Sequence, residues 1–207
     1  MIRTGIMDNN FSFFTFSIFL NCSLSRFSEA IMNSKFHGTL LKKGKATLIH
    51  HDTLSLDNYI NPEVGSVLER FSWWSSELYP NLVFLSSNRA DGLQTGCYSF
   101  QKELKCPCIN FSVSTDDCLY PKNHFEYISS DGKERVVIAL KENQWTFYQD
   151  GEPLPFENLE LYNNKRIKDR INFDIIKEYL SKIGIDFYRM DSTITDCTTY
   201  IRTEWGS

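Results

Sequence analysis

The stretch WTFYQDGEPLPFENLELYNNKRIKDRINFDIIKEYLSKIG, residues 145–184, decides the fold, because strand, turn, basic cluster and capped helix follow one another without a gap. Trp145 and Phe147 alternate with Thr146 and Tyr148, the period-two pattern of a half-buried strand, and Asp150-Gly151 closes it with a turn residue that tolerates positive φ. Pro153 and Pro155 then hold an extended connection, which Phe156 pins to a core. Asn172 is placed to cap a helix whose apolar face is Ile175, Ile176, Tyr179, Leu180 and Ile183, with Gly184 as its left-handed terminator. Asp174 near its start and Lys182 near its end suit the helix dipole.

Working back from Trp145, the segments Arg135–Leu140, His124–Ile128 and Cys108–Val113 read as strands, and Ser130-Asp131-Gly132-Lys133 has the composition of a hairpin loop. Cys97–Phe100 and Leu82–Leu85 read as further strands, separated by the breakers Gly92 and Gly96. Pro62 at a first helical position, followed by Val64, Val67, Leu68, Phe71 and Trp74, predicts an amphipathic helix ending near Pro80. Lys35–Ile49 reads as two short strands about the basic turn Lys42–Lys45, and the segments Asp186–Arg189 and Thr193–Trp205 read as closing extended chain. The expected architecture is α+β: an antiparallel sheet of five or more strands packed against the Pro62 and Phe173 helices.

The first 31 residues look different. No charge lies between Asp8 and Arg26, and Phe11–Leu20 is an apolar run of signal-peptide length with poor signal flanks and no small-residue cleavage site. Residues 1–31 read as a disordered or spurious leader, with a signal or anchor segment and an integral strand or helix as the other options, and a single α+β domain starts at Met32 (residues 32–207).

The 207 residues carry a net charge of −4, which speaks against a broad nucleic-acid footprint, since that needs a concentrated excess of Lys and Arg. The six cysteines at 22, 97, 106, 108, 118 and 197 lack the paired spacing of a zinc knuckle or ribbon, and a chain of this length needs no disulfide staples. They are expected to be reduced thiols of a cytoplasmic protein. No phosphate loop, serine elbow or paired catalytic carboxylates occur, so no catalytic residue, cofactor or metal is assigned. Trp73, Trp74, Arg166 and Arg170 are the partner-binding candidates: the tryptophans as hot-spot aromatics, against the alternative that both help cover a core, and the arginines as guanidinium groups stacked at i and i+4 if helical. The alternative for the arginines is an internal role in fixing the Glu152–Tyr162 connection.

Trp145, Gly151, Pro155-Phe156-Glu157, Tyr162, Arg166-Ile167, Asp169-Arg170-Ile171, Tyr179-Leu180 and Gly184 together resemble the C-terminal pattern of small, poorly characterised bacterial proteins associated with immunity functions in toxin systems. The resemblance covers about a fifth of the chain and supplies no catalytic residues. It implies a non-enzymatic cytoplasmic binding protein whose partner is a cognate toxin, with acidic residues and exposed aromatics at the interface. Two other readings stay open: a small hydrolase or nucleic-acid-processing enzyme using His50, His51, a cysteine or the arginine pair, and an exported or lipid-anchored protein, which requires a genuine leader and would touch a membrane.

Overall fold

The computed structural model describes residues 12–54, 59, 62, 65–115 and 118–205. Among them the elements run β1 (Phe13–Leu20), α1 (Leu24–Asn33), α2 (His37–Lys42), β2 (Ala46–His51), β3 (Arg70–Ser76), β4 (Tyr79–Ser87), α3 (Gln94–Leu104), β5 (Cys108–Ser114), β6 (Lys122–Ile128), β7 (Glu134–Lys141), β8 (Trp145–Asp150), α4 (Phe173–Lys182) and β9 (Ile194–Arg202). The nine strands form one sheet in the order β2-β9-β3-β4-β1-β5-β6-β7-β8, with every neighbouring pair antiparallel. The fold is therefore α+β, with a sheet larger than the minimum the sequence required.

Two apolar layers cover the sheet. On one face α4 and the 3-10 turns before and after it bury Phe14, Phe16, Ile18, Phe111, Phe125, Ile176 and Tyr179. On the other, α1 to α3 bury Phe19, Phe27, Phe71, Trp73, Leu85, Phe100 and Tyr200. Alternation along β1 splits its side chains between these layers, with Phe14, Phe16 and Ile18 on one side and Phe19 on the other.

The leader expected before Met32 is overturned where it is described. Phe13–Leu20 is paired on both edges, to β4 (Ile18 with Phe84) and to β5 (Phe16 with Phe111). Met32 lies inside α1, whose Ser23 cap accepts from the Arg26 N–H and whose Phe27, Ala30 and Ile31 are buried. The apolar, uncharged run is that of a strand covered on both faces, which has the same composition as an export signal.

Four further expectations change. No helix forms in the described part of the segment predicted from Pro62: Arg70–Ser76 is β3, in which Phe71 and Trp73 face α1 to α3 while Trp74 faces α4, so aromatics enter both layers. Residues 63 and 64 of that prediction lie outside the described residues. Cys97–Phe100 is not a strand but part of α3, which buries Cys97, Phe100, Gln101 and Leu104 at helical spacing. The first half of the predicted Lys35–Ile49 hairpin is α2; only its second half is a strand. Asp186–Arg189 closes as a 3-10 turn, capped by the Asp186 carboxylate accepting from the Tyr188 N–H at 3.0 Å.

Gly92 shows why the chain breaks where it does before α3. Its φ is +67°, and a Cβ there would stand 2.0 Å from Thr15 Oγ1, so only glycine lets this turn press onto β1.

Candidate functional site

The 145–184 block is an internal lock built around Arg135 on β7. The Arg135 side chain is 3% exposed and that of Glu157 0% exposed, and they pair with Nη2–Oε2 at 2.6 Å and Nε–Oε1 at 2.9 Å. Arg135 Nη1 also donates to the carbonyls of Asp150 (3.2 Å) and Gly151 (3.1 Å), and Nη2 to Gln149 Oε1 at 2.9 Å. Glu157 in turn accepts from the Leu154 N–H at 2.8 Å and the Tyr162 hydroxyl at 2.7 Å, while Tyr162 and Tyr179 share a 3.0 Å hydrogen bond. Burial alone would raise the Glu157 carboxyl, but the Arg135, Leu154 and Tyr162 donors hold it below the ordinary carboxylate range. Gly151, at φ +83°, passes so close to β7 that a Cβ would lie 2.0 Å from the Glu134 carbonyl oxygen. The lock thus explains Gly151, Glu157, Tyr162 and Tyr179 of the sequence pattern without any ligand.

The partner-binding residues expected from the sequence are spent internally to different degrees. Trp73 and Trp74 are each 0% exposed; Trp73 donates to Ser28 Oγ at 2.9 Å and Trp74 to the Met190 carbonyl at 3.0 Å. Neither offers surface to a partner, because adjacent strand residues point into the two opposite core layers. Arg166 and Arg170 flank the 3-10 turn Ile167–Asp169, so they are not stacked one helical turn apart. Arg170 Nε donates to the Asn164 carbonyl at 2.8 Å and its guanidinium lies over the Phe147 ring at 5.2 Å. Arg166 pairs with Asp169 at 2.6 Å and keeps an exposed side chain.

All six cysteines are free thiols; Cys22, Cys97, Cys106, Cys108 and Cys197 are buried and Cys118 is half-buried. Burial pushes Cys97 and Cys197 up to about 12, the opposite of nucleophile activation. Among the described residues no three His, Cys, Asp or Glu side chains are grouped to hold a metal ion. His50 and His51 are exposed on the edge strand β2, with His50 Nδ1 sharing a 2.9 Å hydrogen bond with Thr198 Oγ1.

Two features remain open to solvent. The first is the outer face of β7 and β8. The α1–α3 layer ends at α3, where the Tyr98 hydroxyl donates to Glu126 Oε1 at 2.5 Å and Gln101 Nε2 to the Ser129 carbonyl at 2.7 Å. Beyond that border Val136, Ile138 and Leu140 on β7 are only half-buried, and Tyr148, opposite Ile138 on β8, is 57% exposed. Leu119 and Tyr120, 80% and 65% exposed, lie in the loop entering β6, at the end of the sheet where the Lys141 N–H meets the Pro121 carbonyl. Exposed Asp131, Glu134, Glu142 and Asp150 outnumber exposed Lys133 and Lys141 at its ends.

The second is a cavity of about 610 Å³ between the α1–α2 corner and α3. His37 opens α2 and Glu69 immediately precedes β3; their Nε2 and Oε1 atoms are 2.9 Å apart, with side chains 6% and 10% exposed. Phe71, Phe100 and Tyr200 hold the imidazole from three sides at ring separations of 5.2, 5.4 and 5.2 Å. Arg89, two residues after β4, pairs with Asp91 at 3.2 Å. The sequence carries no local signal for this site, because His37 and Glu69 are 32 residues apart and meet only through the packing of α2 on β3.

Compared with family models, with curated proteins and with solved structures, the chain gives no match. Among the described residues no helix is long and apolar enough to cross a membrane.

Proposed function

We propose that the protein is a non-enzymatic binding protein of the bacterial cytoplasm, an immunity protein that neutralises a cognate toxin by docking the outer face of β7 and β8 against it. The observation that carries this reading is the uncovered strip of Val136, Ile138, Leu140 and Tyr148 on β7 and β8, with exposed Leu119 and Tyr120 in the loop that leads into β6. An apolar centre with exposed tyrosines and a charged rim has the anatomy of a protein interface. The acidic excess at the rim favours a basic partner, as a nuclease toxin would be, and speeds encounter with it. The resemblance at residues 145–184 supports the same class, and it falls on the segment that places β8. Six free thiols, five of them buried, suit a reducing compartment.

Co-expression with the toxin encoded beside its gene tests this. Wild-type protein restores growth, and Tyr120→Glu with Tyr148→Glu, both at exposed positions, weakens protection at least tenfold while circular dichroism stays unchanged. Failure of the wild type to protect, or full protection by the double variant, contradicts the proposal.

A further inference from the structure

We infer that Cys22 and Cys106 form a redox-modification site, at which a hydroperoxide oxidises the two thiols to a disulfide that ties the start of α1 to the entry of β5. The β1–β5 register brings them together. Phe19 lies opposite Cys108, and one step further the Leu20 N–H donates to the Pro107 carbonyl at 2.8 Å, so the turn after β1 runs beside the residue that precedes Pro107. Pro107 stiffens the backbone there and disfavours a helical Cys106, which ends α3 short of the sheet. Cys22, Cys106 and Cys108 all enter the α1–α3 layer, where they are 1%, 2% and 0% exposed. The Cys22 and Cys106 thiols hydrogen-bond directly to each other.

What separates this pair from the other buried thiols is a cation and a donor. Arg26, exposed in the first turn of α1, is held in place by its Nη2 donating to the Leu104 carbonyl, and its charge favours a thiolate on both sulfurs. The negative charge settles on Cys106. The Cys22 S–H, and then Arg26, outweigh burial and draw the Cys106 thiol below its ordinary value, while the same hydrogen bond and burial push Cys22 up. Cys97, Cys108 and Cys197 are all raised by burial, and Cys108 is committed to Asn110 Oδ1 at 3.5 Å. A nucleophilic sulfur with a protonated sulfur beside it is the arrangement that turns a sulfenic acid into a disulfide.

The chemistry balances with the peroxide as the sole oxidant. The Cys106 thiolate attacks one peroxide oxygen; the O–O bond breaks, the other oxygen departs as an alcohol, or as water from hydrogen peroxide, and Cys106 is left as a sulfenic acid. The Cys106 proton leaves with that alcohol. The Cys22 sulfur then attacks the Cys106 sulfur, the S–S bond forms, the S–O bond breaks, and the hydroxyl leaves as water with the Cys22 proton. The two thiols have then given up two electrons, which the peroxide has taken.

The test treats the reduced full chain with one equivalent of hydrogen peroxide, alkylates it under denaturing conditions and maps the peptides without reduction. A single crosslinked peptide joining Cys22 to Cys106 is expected, with the other four thiols, half-buried Cys118 included, still alkylated. Cys22→Ser should stop at a Cys106 sulfenic acid that dimedone traps. Arg26→Gln, at an exposed position, should slow formation of the bridge about threefold or more, because less Cys106 is ionised. Six alkylated thiols after peroxide, a bridge between any other pair, or an unchanged rate in Arg26→Gln would overturn the inference.

Discussion

Replacing Glu157 with Gln leaves its shape almost intact but removes the charge that neutralises Arg135. The Arg135 side chain is 3% exposed, so its guanidinium cannot turn to water and would stay as an uncompensated cation between β7 and the 150–157 connection. Breaking a buried pair from one side costs about 3–5 kcal/mol. The Asp150, Gly151 and Gln149 oxygens still accept from Arg135, which places the expected loss near the lower end, about 3 kcal/mol. Against a typical stability of about 5–15 kcal/mol, that is a large fraction. Urea unfolding followed by fluorescence of the buried Trp73 and Trp74 reads the change as a drop in midpoint at unchanged slope. The double variant Arg135→Met with Glu157→Gln should recover part of the loss, because no cation is then stranded. A loss below about 1 kcal/mol for Glu157→Gln, the size of an ordinary exposed pair, would refute the lock.

Three further outcomes follow from neighbouring geometry. His124 is 5% exposed, and burial, then the nearby Lys122, push its value down to about 3. The folded protein refuses a proton that the unfolded chain takes up below about pH 6.5, so stability is highest above that pH and falls by about 1.4 kcal/mol per unit as pH drops toward 3; His124→Gln should flatten this slope between pH 6.5 and 5 in urea titrations, and an unchanged slope would count against it. Gly151→Ala meets both a positive φ of +83° and the Glu134 carbonyl, so a loss of about 2 kcal/mol or more is expected in thermal melts, and a neutral result would mean the turn is looser than described. A chain started at Met32 lacks β1 and should be insoluble or molten in near-ultraviolet circular dichroism, because β4 and β5 lose the strand that joins them; a cooperatively folded product would return residues 1–31 to the status of a leader.

Legibility followed exposure. Strands β7 and β8 and helix α4 were readable because each has one covered face and one wetter one, and because Asn172 and Gly184 mark the helix ends with their cap chemistry. Strands β1 and β3 lie between two layers, so every side chain apart from Arg70 at the start of β3 is apolar or small and the period-two signal vanishes. In β1 the result looked like a leader; in β3, Phe71 and Trp74 happened to fall at a helical spacing. Helix α3 was hidden by Gly92 and Gly96, of which the first makes the entry turn and the second lies inside the helix. The internal role of Arg170 was available from the density of aromatic and carboxylate residues around it, and a core role was open to Trp73 and Trp74 from the start, although not that the two enter opposite layers. His37 and Glu69 could not be paired from sequence, since nothing local to either residue specifies the packing of α2 on β3.

Photo-crosslinking locates the docking surface most directly. A photoreactive phenylalanine placed at Tyr148, Tyr120 or, as a control beside α4, Tyr188 is irradiated in the presence of the toxin against which the protein protects. Crosslinks from positions 148 and 120 and none from 188 are expected if the outer face of β7 and β8 carries the interface. Crosslinking from 188 alone would place the partner elsewhere on the molecule and contradict the account.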